Sequence, residues 1–207
     1  MRTRVKFCGF CNVEDLIQAQ MLGVDAVGFV LYEQSKRFVS VEQLQKLARY
    51  LTTFVTPVLL FVNPNKDLVI DALRILPNAT LQFHGNEPVA FCSSFSRPWI
   101  KAVSIQNSEE LLLKEKQYCD AQALLVDAPS SQWGGSGKTF DWNLIQQGNK
   151  SRIILAGGLS ADNVAQAIRV VKPCAVDVSS GIEIDPGKKD FEKMKRFLQQ
   201  VRLADQK

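Results

Sequence analysis

The chain has 207 residues, of which 46% are apolar and 22% charged, and its net charge is +4. This composition predicts one folded globular domain over residues 1–207, and it excludes a disordered chain, a collagen and a coiled coil. The small excess of positive charge does not indicate a nucleic-acid partner, and it suits a protein that binds small anionic ligands.

Signals for a membrane or a disulfide framework are not found in the sequence. No apolar run approaches the ~20 residues that cross a bilayer, and Arg2 and Arg4 lead into a strand-like run instead of a signal peptide. The five cysteines are odd in number and irregularly spaced, which argues against secreted disulfides. We therefore expect a cytoplasmic protein with no membrane partner.

Short apolar runs alternate with longer segments of helical periodicity along the whole chain. Several runs, such as 58–62 and 153–156, are almost wholly apolar, which is typical of strands covered on both faces. The predicted strands are, in chain order, Val5–Cys8, Ala26–Leu31, Val58–Val62, Thr80–Phe83, Trp99–Val103, Ala123–Val126, Arg152–Ala156 and Ala175–Val178.

The segments between these runs carry residues that are typical of helix starts and buried helix faces. Residues suited to the N-terminus of a helix are Asn12 with Asp15, Ser40 with Gln43, Pro88, and Ser160 or Asp162. The last helix is predicted to bury one stripe, formed by Phe191, Met194, Phe197, Leu198 and Val201.

Eight strand–helix units of roughly 26 residues each predict an α/β fold, a single (β/α)8 TIM barrel. A doubly wound open sheet is the alternative, because periodicity alone does not distinguish a closed sheet from an open one. In a barrel, functional residues follow the carboxyl ends of the strands, where the loops converge.

That rule selects a set of candidate functional residues, namely Cys8, Arg37, His84, Asp127 and Asp177. Arg37 suits a carboxylate ligand, although a solvated charge is the alternative. His84 is interpreted as supporting a neighbour. The two aspartates, each at the end of an apolar run, are placed acids or helix caps.

Glycine- and serine-rich turns follow the seventh and eighth strands. Barrels often bind phosphate there through backbone N–H groups, so we predict a phosphate site at Gly157, Gly158, Ser180 and Gly181. The alternative is that these glycines occur only because the turns need residues with positive φ. The run at 134–139 resembles a P-loop, but Gln132 stands where glycine is required, so we expect residues 129–139 to form a long loop over the substrate or a plain surface loop.

Cys8 and Cys11 lie one helical turn apart in the sequence Cys-Gly-Phe-Cys. The pair allows a redox dithiol, or a single nucleophile or base at Cys8, since a helix N-terminus lowers the pKa of a thiol. Two small core residues are the alternative interpretation. A metal site is not predicted, because His84 is the one histidine and the remaining cysteines are isolated.

Several motifs occur in an order typical of one enzyme family, and two of them, the Gly-Gly-Ser-Gly-Lys-Thr-Phe-Asp-Trp run at 134–142 and the Val-Asp-Val-Ser-Ser-Gly run at 176–181, are specific. The others lie at residues 5–9, 25–29, 35–40, 82–85, 156–159 and 186–190. With these motifs the chain resembles the phosphoribosylanthranilate isomerases of tryptophan biosynthesis over nearly its whole length.

The resemblance implies an Amadori rearrangement of N-(5-phosphoribosyl)anthranilate to 1-(2-carboxyphenylamino)-1-deoxyribulose 5-phosphate, the third step from chorismate to tryptophan, without a metal or cofactor. It implies that Asp127 is the general acid that opens the ribose and that Cys8 is the base that removes the C2′ proton. A thiolate base needs a lowered pKa, and the helix that begins near Asn12 is a source of part of that lowering for Cys8. Arg37 would hold the anthranilate carboxylate and Asp177 would lie near the anthranilate.

Beside the isomerase, the sequence leaves two further hypotheses. A related phosphoribosyl barrel enzyme is one alternative, and a redox dithiol protein or a non-catalytic phospho-sugar binder is the other. The family commonly has an aliphatic residue and Thr where this chain has Phe10 and Cys11, so we hypothesise that mild oxidation joins Cys8 to Cys11. We expect a monomer, because no partner stripe is evident.

Overall fold

The computed structural model describes residues 2–128, 141–145 and 148–206. The predicted loop over 129–139 lies outside the described residues. Among the described helices, none has the length and the hydropathy that crossing a membrane requires.

Eight parallel strands form a closed barrel in which each strand pairs with the next along the chain and β8 pairs with β1. This closure distinguishes the barrel from the open sheet, so the TIM-barrel prediction is confirmed. The strands are β1 (Arg4–Cys8), β2 (Ala26–Val30), β3 (Thr56–Phe61), β4 (Thr80–Phe83), β5 (Trp99–Ser104), β6 (Ala123–Asp127), β7 (Ile153–Leu155) and β8 (Ala175–Val178).

Helices surround the barrel and connect most of its strands. They are α1 (Val13–Met21), α2 (Val41–Ala48), α3 (Lys66–Ile75), α4 (Val89–Ser93), α5 (Ser108–Gln117), α6 (Val164–Val171) and α7 (Phe191–Asp205). The regular strand–helix alternation differs from the prediction in two places. Between β6 and β7 the described residues form 3₁₀ turns at Trp142–Ile145 and Lys150–Arg152, and a short hairpin of β9 (Glu183–Asp185) and β10 (Lys188–Lys189) separates β8 from α7.

Side-chain caps start two helices as predicted. Asn12 accepts a hydrogen bond from the Asp15 backbone N–H at 2.8 Å, and Ser40 accepts one from Gln43 N–H at 3.2 Å. Pro88 stands at the N-cap of α4, immediately before its first turn. These caps satisfy backbone donors that the first turn of a helix leaves free.

The predicted cap of α6 at Ser160 or Asp162 is wrong, because the helix begins later, with Asn163 at its N-cap. The Asn163 side chain accepts from Ser160 N–H at 2.8 Å and donates to the Gly158 carbonyl at 2.9 Å. Asn163 therefore ties the glycine turn after β7 to the helix that follows it.

The core has two layers because side chains alternate in direction along each strand. Outward-facing residues pack on the helices, as Phe7 does on Phe197 of α7 with ring centroids 6.0 Å apart. The predicted stripe of α7 is buried at Met194, Phe197, Leu198 and Val201, and Phe191 packs against the same core. Inward-facing residues fill the barrel below its mouth, namely Ile100, Ala102, Ala123, Leu125, Ile154 and Ala156.

Candidate active site

Polar side chains replace the apolar barrel interior at the carboxyl ends of the strands. Ala123 and Leu125 of β6 face the interior, so Asp127, two residues further along the strand, faces the mouth above them. On β1, Lys6 faces inward towards Asp177 of β8, and Cys8 follows Lys6 by two residues. The closed barrel therefore brings Cys8, Asp127 and Asp177 to one mouth, as the sequence predicts.

The Asp127 carboxylate lies beside the imidazole of His84. Its Oδ1 accepts a hydrogen bond from Ala128 N–H at 2.8 Å, and its Oδ2 is 3.5 Å from His84 Nε2. On the other side of the ring, Gln82 Nε2 is 3.4 Å from His84 Nδ1. His84 thus has the position expected of a residue that orients a neighbour, and it is held by the fully buried Gln82.

Cys8 is nearly fully buried at the end of β1, packed with Val30, Leu60 and Val62. The expected fall in its pKa is not found. Burial raises the pKa of the Cys8 thiol, and the nearby Lys6 ammonium offsets part of that rise.

Asp177 forms a buried ion pair with Lys6, with Nζ 2.8 Å from Oδ1. Burial alone would lower the pKa of Lys6, but the charge of Asp177 and of the Cys8 sulfur more than reverses that effect, so its ammonium form is retained. Sequence reasoning missed Lys6. Its signal was a lysine two residues before Cys8 on an apolar strand, which places both side chains on the inward face.

Arg37 is held by Glu183, a residue that the sequence analysis did not select. Arg37 Nε donates to Oε1 at 2.8 Å and Nη2 donates to Oε2 at 2.6 Å, which is the bidentate geometry of a guanidinium on a carboxylate. Arg37 is therefore a fixed group and not a solvated charge. Its Nη1 has no protein acceptor among the described residues.

Lys189 joins the Arg37–Glu183 pair to Cys8. Its buried ammonium lies 2.7 Å from Glu183 Oε1 and donates to the Cys8 carbonyl oxygen at 2.5 Å. The same carbonyl accepts from the Ser179 hydroxyl at 3.0 Å. Lys189 lies in the 186–190 motif, but the sequence did not predict its contacts, and Glu183 lies outside the motifs. These contacts depend on the hairpin of β9 and β10.

The two glycine turns predicted to bind phosphate lie against each other. Gly157 has φ +81° and Gly158 has φ +60°, conformations in which other residues are strained. A Cβ atom on Gly181 would collide with the Leu159 carbonyl oxygen. Ser180 opens the 3₁₀ turn Ser180–Ile182, so the predicted phosphate residues do come together on the β7–β8 side of the mouth.

Cys8 and Cys11 are both free thiols whose sulfurs face different surroundings. A Cβ on Gly28 would lie 2.8 Å from Cys8 Sγ, whereas one on Gly187 would lie 3.2 Å from Cys11 Sγ. The hypothesis of an oxidative bridge between them stays a prediction. Within the described ranges, no cluster of three or more His, Cys, Asp or Glu side chains is arranged to hold a metal ion.

These features define the class of the protein, a (β/α)8-barrel enzyme whose mouth combines acid–base side chains with backbone turns suited to an anion. Comparison with known proteins makes the assignment specific. The model of the family described as N-(5'phosphoribosyl)anthranilate (PRA) isomerase matches residues 5–200. The chain belongs to this family.

Individual relatives agree with the family match. The chain is 46% identical over 205 residues to the N-(5'-phosphoribosyl)anthranilate isomerase of Methylibium petroleiphilum, covering 99% of this chain and 96% of that protein. A crystal structure of the Thermotoga maritima phosphoribosyl anthranilate isomerase is similar, with a TM-score of 0.88, 40% identity, and 97% and 98% of the two chains covered. Another isomerase structure, in complex with reduced 1-(o-carboxyphenylamino)-1-deoxyribulose 5-phosphate, has a TM-score of 0.85 and 36% identity over 97% and 98% of the two chains.

Proposed function

We propose that this protein catalyses the Amadori rearrangement for which its family is named. N-(5-phosphoribosyl)anthranilate is converted to 1-(2-carboxyphenylamino)-1-deoxyribulose 5-phosphate, a step of tryptophan biosynthesis. The enzyme is an aldose–ketose isomerase. The reaction moves two hydrogens within the substrate, since C1′ is reduced to a CH2 group while C2′ is oxidised to a ketone, so no external oxidant or reductant takes part.

Asp127 is the proposed general acid. Its proton goes to the ribose ring oxygen as the C1′–O bond breaks, which opens the ring and leaves a protonated imine at C1′. His84, 3.5 Å from Asp127 Oδ2, supports this role by fixing the orientation of the carboxyl. A positioned acid contributes ~10²–10⁴ to the rate.

Cys8 is the proposed general base. The thiolate removes the C2′ proton, the electrons of the C2′–H bond form the enolamine, and the enolamine tautomerises to the ketone as C1′ gains a proton. Hydrogen bonds from Lys189 and Ser179 to the Cys8 carbonyl support this role, because they fix the backbone from which the sulfur projects.

Binding groups are proposed on both sides of these two residues. The Nη1 edge of Arg37 holds the anthranilate carboxylate, while Glu183 occupies the rest of the guanidinium. Asp177 is proposed to lie near the anthranilate moiety, and its ion pair with Lys6 fixes the position of its carboxylate. The 5-phosphate binds the turns at Gly157, Gly158, Ser180 and Gly181, where backbone N–H groups favour an anion.

One observation carries this proposal. The thiol of Cys8 and the carboxylate of Asp127 both face inward, at the carboxyl ends of β1 and β6 of one closed barrel. The test is steady-state turnover of Cys8→Ala and Asp127→Asn. The controls are Cys119→Ala, at an exposed position, and Asp71→Asn, whose side chain is 46% exposed. Each site variant is expected to lose about 10²-fold or more in kcat and to bind the reduced product analogue normally. Site variants that keep a tenth of wild-type kcat would overturn the assignment. A redox dithiol protein, in contrast, would keep its activity in Asp127→Asn.

Three further proposals describe the protein as a whole. We take residues 1–207 to be one domain, located in the cytoplasm, with a monomer as its working state. The alternative is a dimer through two exposed apolar side chains, Phe54 in the α2–β3 connection (95% exposed) and Met21 at the end of α1 (78% exposed). The two segments are joined by hydrogen bonds of Gln20 to Tyr50 and Thr52. One solved relative is described as monomers generated from the dimeric isomerase of Thermotoga maritima.

A further inference from the structure

We propose that Lys6 is a positioning residue for the reaction, whose ammonium group, held by Asp177, stabilises the thiolate of Cys8 that removes the C2′ proton. The proposal rests on the proposed role of Cys8 as the base. It gives the mouth of the barrel a coupled group of three side chains, Cys8, Lys6 and Asp177, from two adjacent strands.

The geometry of β1 and β2 brings the two side chains together. Lys6 and Cys8 are two residues apart on β1 and therefore project from the same face. Gly28 of β2 is paired in register with Cys8. A Cβ on Gly28 would lie 2.8 Å from Cys8 Sγ and 3.2 Å from Lys6 Cε. The sulfur and the carbon that carries the ammonium thus flank the same point, with no side chain from Gly28 between them.

Burial creates the need for such a cation. Removal of water from Cys8 raises the pKa of its thiol, which opposes its use as a base near neutral pH. Among the charged groups around the sulfur, Lys6 has the largest effect and lowers the pKa, Asp177 raises it, and Lys189 lowers it by less. Arg37 also faces the thiol, which contributes to the raised pKa of Arg37.

Asp177 has two opposing effects in this arrangement. Its carboxylate holds the Lys6 ammonium at 2.8 Å, which keeps the cation in place in a buried site. It also repels a thiolate on Cys8 and competes with that thiolate for the cation. The direct effect of the Asp177 carboxylate is to raise the pKa of Cys8, whereas Lys6 lowers it. Removing Lys6 and removing Asp177 are therefore expected to change the titration of Cys8 in opposite directions, which a merely structural ion pair would not do.

The test measures the rate at which iodoacetamide alkylates Cys8 as a function of pH, followed by mass spectrometry of the Cys8 peptide in the substrate-free protein. Lys6→Met is expected to move the midpoint of this profile upward by about one pH unit, which makes alkylation below the midpoint about tenfold slower. Asp177→Asn is expected to move the midpoint downward. Lys6→Arg, which keeps the charge, is expected to stay close to wild type.

Two further variants control for unfolding and for general loss of buried charge. The double variant Lys6→Met/Asp177→Asn leaves no unpaired buried charge. It is expected to shift the midpoint upward, since Lys6 outweighs Asp177. Lys101→Met removes a different buried lysine, which pairs with Glu87 at 2.9 Å, and is expected to leave the Cys8 profile unchanged. Thermal melting verifies that each variant is folded, and the ¹³Cβ shift of Cys8 follows the same titration without requiring reagent access.

Unchanged Cys8 profiles in both Lys6→Met and the double variant would overturn the proposal. The acid limb of kcat/KM against pH is expected to move with the alkylation midpoint. A Cys8→Ala enzyme that still turns over would disprove the assignment of Cys8 as the base. Because alkylation needs no substrate, the alkylation profiles decide separately whether Lys6 controls the titration of the thiol.

Discussion

Replacement of Glu183 by glutamine tests how much the negative charge of this carboxylate, which binds both Arg37 and Lys189, contributes to stability. The change keeps the size of the side chain and one acceptor oxygen, but it removes the negative charge. The Arg37 fork at 2.8 and 2.6 Å loses one of its two acceptors, and the Lys189 ammonium at 2.7 Å loses its counter-ion. Two cations then remain together, with side chains 14% and 0% exposed.

The expected loss of stability follows from that burial. Removing one partner of a buried ion pair typically costs about 3–5 kcal/mol, because the charge left behind has no compensation. We take about 3 kcal/mol, the low end, since the glutamine oxygen still accepts one hydrogen bond. For a chain of this length, such a loss corresponds to a fall in Tm of about 6–12 °C.

The pH dependence of this loss has a defined sign. Burial alone would raise the pKa of the Glu183 carboxyl, but the Arg37 fork and the Lys189 charge outweigh burial and hold the pKa below its usual 4.5. A lowered pKa in the folded state means that the stabilisation is complete above the unfolded pKa of about 4.5 and is lost as the pH falls through the folded value. The wild type and Glu183→Gln should therefore converge in stability only at acid pH.

Urea unfolding followed by circular dichroism, from pH 7.5 down to pH 4 and below, measures both quantities. Asp71→Asn, in the exposed pair with Arg74, is the control and should change stability by less than about 0.5 kcal/mol. A Glu183→Gln variant within about 1 kcal/mol of wild type at pH 7.5, or a difference that does not shrink at acid pH, would refute the reasoning. In kinetics, KM should rise more than kcat falls, because Arg37 loses its fixed position.

Two other outcomes are expected. Gly181→Ala should weaken competitive inhibition by inorganic phosphate about tenfold or more, because the new Cβ meets the Leu159 carbonyl and separates the two turns; Gly23→Ala, strained only by its φ of +80°, should leave that inhibition unchanged. Light scattering should give the monomer mass of 23.1 kDa at every concentration, and a doubled mass that Phe54→Glu halves would show a dimer instead.

The strands were predictable because each is covered on both faces, so that several of them read as almost wholly apolar runs. Thr80–Phe83 and Ala175–Val178 agree with β4 and β8 at both ends. The residues after strand ends were also predictable, since the direction of the chain fixes the edge at which they emerge. Asp127 and His84 were selected in this way, and their contact confirms that they share the mouth.

The groups that hold these residues were not predictable, because their contacts depend on closure of the barrel. Glu183 contacts Arg37 across 146 positions of sequence, and Lys6 contacts Asp177 across 171. Neither separation has a periodic signal. Composition also does not distinguish a buried lysine from the many lysines that are exposed. The register of neighbouring strands determines whether a lysine on a strand is buried.

Two lysines lie at different ends of Cys8, and they act mainly on different properties of it. Lys189 and the Ser179 hydroxyl bind the Cys8 carbonyl, which sets the direction of the side chain. Lys6 acts on the sulfur end, where it shares its charge with Asp177. A change at Lys189 should therefore affect mainly the placement of the proposed base, whereas a change at Lys6 should alter more strongly the pH at which that base becomes available. Comparing the pH profiles of the two sets of variants separates these effects within one active site.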